Sequence, residues 1–289
     1  MSLRRLFASH KRPYIVGLNN PDRIRVNLSG CELQLTLPPH YSSEGFEEAV
    51  PPRDIANIYA TNLFDKYQES KPFGQVKFIR RDWSYFGPFW KSGDMGMTDF
   101  MATVMRVNCL PEGMSCLNPY HLEQVVMRLL YWTGPETPIY VGKIAPVNWR
   151  VEEKQGNTWI LYEAHRERNS QFPIDPSYAN FRSVVITAID DRYIMCLVFN
   201  NYGSLPIDDS ITACNIMRDK VLNSIRWQLS PSLQARKEVV LQQFSNTSIS
   251  QHREPEPWVY PEWRDGNRQK GEPRYVQTKA GSPVPVFKP

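Results

Sequence analysis

The sequence predicts an α+β fold, an antiparallel β-sheet flanked by helices, with an extended proline-rich C-terminal tail. Three observations predict it. Short runs alternate apolar and polar residues with period two over 23–37 and 98–107, as half-buried strands do, and apolar strand-length runs lie within 182–199. Apolar stripes of period 3.6 recur near 118–132 and 208–225, as on amphipathic helices. After Ser245 the chain changes character, with seven prolines, few aliphatic residues and many charges, and it holds no core of its own.

Taken in order, residues 1–22 form a basic arm. Residues 23–37 read as a hairpin: Ile24, Val26 and Leu28 alternate, Ser29-Gly30 turns the chain, and Leu33, Leu35 and Leu37 alternate again until Pro38-Pro39, where proline cannot donate to a ladder. Pro52–Tyr67 turns to helical spacing, with Ile55, Ile58, Tyr59, Leu63 and Tyr67 on one stripe. Gln75–Trp83 is an expected strand. An aromatic, glycine-bearing loop follows, Tyr85-Phe86-Gly87-Pro88-Phe89-Trp90 up to Gly93 and Gly96, its glycines serving a tight turn. Thr98–Val107 alternates once more.

Asn118 can cap a helix ending near Trp132, with Pro119 in its first turn and Leu122, Val125, Val126, Leu129 and Leu130 on one face. Thr158–Arg168, Arg182–Ile189 and Tyr193–Phe199 are expected strands. The last is apolar on both faces, so it is central and covered on both sides, by helices in this reading. A helix from Asp208 or Asp209 to Ile225 closes the domain of residues 23–229, and a further helix falls within residues 230–245. The tail is 246–289; its Trp258, Tyr260 and Trp263 are large anchors in a polar segment, aimed at the body or at a partner.

Composition narrows the function. The net charge of +4 sits on the ends: residues 1–25 carry six basic side chains against Asp22, and 251–289 carry seven against five acidic, leaving 21 basic and 24 acidic residues between them, a net of −3. A nucleic-acid-binding domain concentrates positive charge on its folded surface, so nucleic acid is not an expected partner. Nowhere does an apolar run approach the roughly 20 residues of a membrane-spanning helix, and the N-terminus lacks the apolar core of a signal peptide. Five cysteines, an odd set without a close pair, fit reduced thiols in the cytoplasm.

The standard chemical motifs are missing. His10, His40, His121, His165 and His252 have no zinc spacing. There is no GxSxG elbow, and no Walker loop or dinucleotide fingerprint; Cys196 lies mid-strand in an apolar run, where burial keeps a thiol inert. Asp190-Asp191 reads as a turn and Asp208-Asp209 as a helix N-terminus, where acidic residues answer the macrodipole. No catalytic residue, cofactor or metal is expected. The aromatic loop stands out, because Trp and Tyr bring large contact area at low entropic cost.

The run from Phe181–Ile189 through Asp190-Asp191 and Tyr193–Phe199 to a helix closing on Val221-Leu222-Asn223-Ser224-Ile225-Arg226-Trp227, with the earlier Glu32-Leu33-Gln34-Leu35-Thr36-Leu37-Pro38, resembles PsbP-like domains. That resemblance implies an α/β/α sandwich and a binding protein without catalysis. Its members include photosystem assembly factors, a nuclear transport factor and the Eag-type chaperones of bacterial type VI secretion effectors. It implies no functional residue here, and the domain would carry an insertion holding the helix at 118–132.

The expectation is therefore a non-enzymatic bacterial protein that binds another protein, an effector as a chaperone does or a toxin as an immunity protein does. Trp83, Tyr85, Phe86, Phe89, Trp90, Trp258, Tyr260 and Trp263 are its candidate contacts. Two alternatives stay open. One is a hydrolase with a site assembled from distant residues, built on His165 with Asp or Glu neighbours. The other is a structural subunit, with self-association.

Overall fold

A computed structural model describes residues 3–9, 11–43, 45, 47–48, 57–60, 62–64, 70–90, 94–133, 143–166, 179–203, 207–256 and 261–289. Its strands are β1 (Tyr14–Ile15), β2 (Asp22–Leu28), β3 (Cys31–Leu37), β4 (Phe73–Phe86), β5 (Asp94–Val107), β6 (Lys143–Lys154), β7 (Asn157–Arg166), β8 (Ala179–Ala188), β9 (Tyr193–Gly203), β10 (Arg226–Gln228), β11 (Glu262–Asp265) and β12 (Tyr275–Lys279). Its α-helices are α1 (Pro119–Thr133), α2 (Ile207–Ser224) and α3 (Pro231–Gln243).

Seven strands form one antiparallel sheet in the order β1-β4-β5-β9-β8-β7-β6, curled into a half-barrel. β4 and β5 run 14 residues each. Register shifts interrupt their pairing at Lys77/Ile79 and Tyr85/Phe86, and the β6–β7 pairing at Ile144/Val147 and Val147/Arg150. Such bulges bend a strand and raise its local twist, which curls a sheet of this width.

The 23–37 hairpin forms as expected, closed by a two-residue turn with Ser29 at φ 54° and Gly30 at φ 90°. Two positive φ angles match the right-handed twist of the flanking strands. The hairpin joins β10 in a separate three-stranded sheet, β10-β3-β2, whose buried Val26, Leu28, Leu33, Leu35 and Leu37 enter the main core. The two sheets are tied where the Trp83 indole N–H donates to the Pro38 carbonyl at 3.0 Å. Trp83, Phe100 and Phe199 pack in series beneath this joint, with centroids 5.8 and 4.9 Å apart.

The flanked sandwich expected from the sequence, and the α/β/α layering that the PsbP-like resemblance implies, are overturned. Strand (42%) outweighs helix (22%), and the helices do not flank a sandwich. β9 is indeed central and buried along most of its length, but double-sided burial says only that a strand is covered, not by what. Here α2 contacts β3, β5, β8 and β9, α1 contacts β7 and β8, and the small sheet supplies further core side chains.

Of the helix expected over Pro52–Tyr67, residues 57–60 and 62–64 include turns and no helix, and the remainder lies outside the described residues. The strand β6 is an addition. Gly96 lies within β5 rather than in a turn, with φ 145°, and a Cβ there would sit 2.3 Å from the Tyr202 carbonyl oxygen, so the close approach to β9 requires glycine.

Helix α1 has its expected cap, the Asn118 side chain accepting from the His121 N–H at 3.0 Å. The tail is laid against the body. Arg253 pairs with the buried Glu123 of α1 at 2.7 Å, and the Trp149 indole donates to the Ser250 carbonyl at 2.8 Å. Further on, β11 and β12 form a two-stranded hairpin of their own. No described helix is long and apolar enough to cross a membrane.

Candidate functional site

The aromatic segment divides in two because β4 runs further than its alternation suggests. Trp83 and Tyr85 point to the interior, fully buried, and the Tyr85 hydroxyl shares a 2.6 Å hydrogen bond with Thr98 Oγ1. They are core residues, and their assignment as contacts is corrected. Phe86, on the opposite face by strand alternation, is half-buried, edge-on to Tyr41 at 5.6 Å and beneath the Arg5 guanidinium at 4.9 Å.

The strand ends at Phe86, and the carbonyl of the next residue, Gly87, accepts from Arg5 Nε at 3.0 Å. The basic N-terminal segment thus braces the base of the tip. Beyond it, Phe89 and Trp90 are 49% and 65% exposed, edge to face with centroids 5.0 Å apart. They form a paired aromatic knob next to Gly87-Pro88. In the tail, Trp263 is half-buried, with an indole nitrogen that is buried and meets no partner among the described residues. Trp258 and Tyr260 lie outside the described residues.

A second cluster joins β7, β8 and α2. Glu163, opposite Ser183 in the register, accepts from Asn148 Nδ2 at 2.9 Å and meets His165 Nε2 at 2.7 Å through the same oxygen. Its other oxygen accepts from Arg218 Nη1. The His165 ring stacks on Phe181 at 5.0 Å. Burial pushes the Glu163 carboxyl up, but the His165 bond, the Arg218 charge and the Asn148 amide together hold it below the usual carboxylate range.

This cluster contains the His165 of the hydrolase alternative. Its key cation, Arg218, escapes a reading by local pattern, although an arginine one turn after Cys214 and next to Met217, inside an apolar stripe, was a usable signal. The chemistry favours a clamp over a base. A carboxylate accepting three donors is a poor proton acceptor, and the adjacent hydroxyl, Ser183, is fully buried against Arg218.

The thiols are also quiet: burial pushes Cys31, Cys109 and Cys116 up, and Cys196 and Cys214 up to about 12. Among the described residues no group of three or more His, Cys, Asp or Glu is placed to hold a metal ion. No family model matches the chain and no curated protein matches it in sequence, so the PsbP-like resemblance gains no support from either comparison.

Proposed function

We propose that this chain is a non-enzymatic protein-binding protein that meets its partner through the tip between β4 and β5. One observation carries the reading: Phe89 and Trp90 stand exposed as a contacting pair beside a segment pinned by Arg5. Exposed Trp and Phe on a braced element bury large area on binding at little conformational cost, which is the character of an interface anchor. The partner class is a protein such as a secreted effector or toxin, held in the cytoplasm; the five unpaired cysteines are compatible with a reducing compartment. The test is capture of a stoichiometric partner from native cells by the wild type and by Phe89→Ser/Trp90→Ser, with thermal melting as the control for folding.

A second reading has one observation behind it, the 2.7 Å contact between His165 and Glu163 with the imidazole partly open to solvent. In a hydrolase built there, Glu163 would orient the ring and His165 would accept a proton from water. Screening ester, amide and phosphate substrates against wild type and His165→Ala separates the two. A turnover lost in the variant supports the hydrolase, and equal background in both removes it.

A further inference from the structure

The outer side of α1 is covered by the chain's own C-terminus. Gln124, Arg128 and Tyr131 stand at i, i+4 and i+7, on one stripe of the helix. Gln124 Nε2 donates to the Lys288 carbonyl at 2.8 Å, Arg128 Nη1 to the Pro285 carbonyl at 2.7 Å, and the Tyr131 hydroxyl to the Ser282 carbonyl at 2.8 Å. The Lys288 N–H returns a bond to Gln124 Oε1 at 2.5 Å.

The three accepting carbonyls are three residues apart, which is the repeat of a polyproline II helix. The segment itself reads Ser-Pro-Val-Pro-Val-Phe-Lys-Pro over 282–289 and carries no regular secondary structure. Its prolines fix φ near the extended value and remove competing donors. The Arg128 guanidinium also lies 5.4 Å from the centre of the Phe287 ring, which packs against the core. Val284 and Val286, between the contact points, face solvent. The helix therefore reads every third carbonyl and one aromatic ring, and ignores the side chains between.

We propose that this face of α1 is a recognition site for extended proline-containing segments. The chain's own C-terminus is its resident ligand, and a partner protein's Pro-x-Pro-x-aromatic segment is the ligand that replaces it. The chemistry of the occupant is on display in the resident segment. That segment is connected through the exposed β11–β12 hairpin, so it can lift at the loss of the Phe287 contact with the edge of the core. A tethered ligand competes at an effective concentration in the millimolar range, so the resident tail sets a threshold that a partner must exceed. This site is separate from the Phe89–Trp90 tip, and either assignment can fail without the other.

The test uses the full-length chain. Pro285→Gly with Phe287→Gly keeps the tail's length and weakens the resident ligand. A fluorescent synthetic peptide of residues 281–289 is titrated into this chain and into the wild type, with anisotropy as the readout. The peptide is expected to bind the weakened-tail chain at least tenfold more tightly than the wild type. Arg128→Ala in the weakened-tail background should lower that affinity at least tenfold. Tyr131→Phe, which deletes one hydroxyl and leaves packing intact, should lower it severalfold, while Val286→Asp in the peptide should change little. In the wild type, the Lys288 amide should be protected from hydrogen exchange and lose that protection in excess peptide. Equal binding to both chains, no binding to either, or indifference to both helix substitutions would overturn the assignment.

Discussion

Arg218 of α2 donates to Glu163 of β7 across 55 residues of sequence, with side chains only 5% and 2% exposed. A charge taken this far from water is tolerable only when paired and hydrogen-bonded. The pair pins the longest described helix to the curled sheet. Removing one member leaves the other buried without its main counter-charge, Arg218 keeping only the half-exposed Asp219 and Glu163 only His165 and Asn148. Arg218→Met and Glu163→Leu should each cost about 3–5 kcal/mol of stability. The joint apolar replacement Arg218→Met/Glu163→Leu should cost clearly less than the sum, because it leaves no orphan charge. Urea denaturation of the four proteins gives the coupling directly.

The same carboxylate sets an acid limit. Its folded pKa lies below the ordinary glutamate value, near 4.3 in an unfolded chain. A depressed carboxylate adds stability above the unfolded pKa, and that contribution is lost as pH falls through the folded value. Stability should therefore decline as pH drops below about 4.3. Glu163→Gln should be less stable at neutral pH and show a shallower acid decline. Urea midpoints between pH 3 and 7 test this, and parallel curves for the two proteins would contradict it.

The thiols should be silent in the native state. Burial raises all five, with Cys196 and Cys214 held up to about 12, and the thiolate is the reacting form. A colorimetric thiol reagent at pH 8 should label the native protein slowly, beginning with the partly exposed Cys109, and all five rapidly in denaturant. A native thiol that reacts at once would reveal an activated cysteine and reopen the enzymatic alternative.

What the sequence discloses follows how local each signal is. The β2–β3 hairpin is legible residue by residue, since alternation and a two-residue turn sit within 15 positions. Helix α1 is equally legible from Asn118 and its apolar stripe. Strand β6 is hidden by Pro146 and a charged end, and it survives because it lies at the edge of its sheet, where proline is tolerated. The end of β4 is hidden by the glycine and proline that follow it, so Tyr85 reads as loop and is core, as is Trp83 at the end of the expected strand. Fold class misleads for a further reason: burial on two faces is visible in β9, but the identity of the covering layer depends on contacts far apart in the chain. The Arg218–Glu163 pair is non-local in the same sense. Of the aromatic segment, Phe89 and Trp90 are the large side chains that stay exposed, and the proposed function rests on them.

Phe89 and Trp90, the proposed binding surface, are exposed and carry little of the fold. Exposed side chains away from special backbone features typically change stability by no more than about 0.5 kcal/mol, so Phe89→Ser/Trp90→Ser should melt with the wild type. The decisive measurement is quantitative capture from native cells, comparing wild type, this double variant, and a control at two exposed apolar residues elsewhere, Ile216→Ser/Val239→Ser. One stoichiometric partner is expected on the wild type and on the control, with at least a tenfold loss on the tip variant at unchanged melting temperature. Undiminished capture by the tip variant, or no partner on the wild type, would contradict the proposed binding surface.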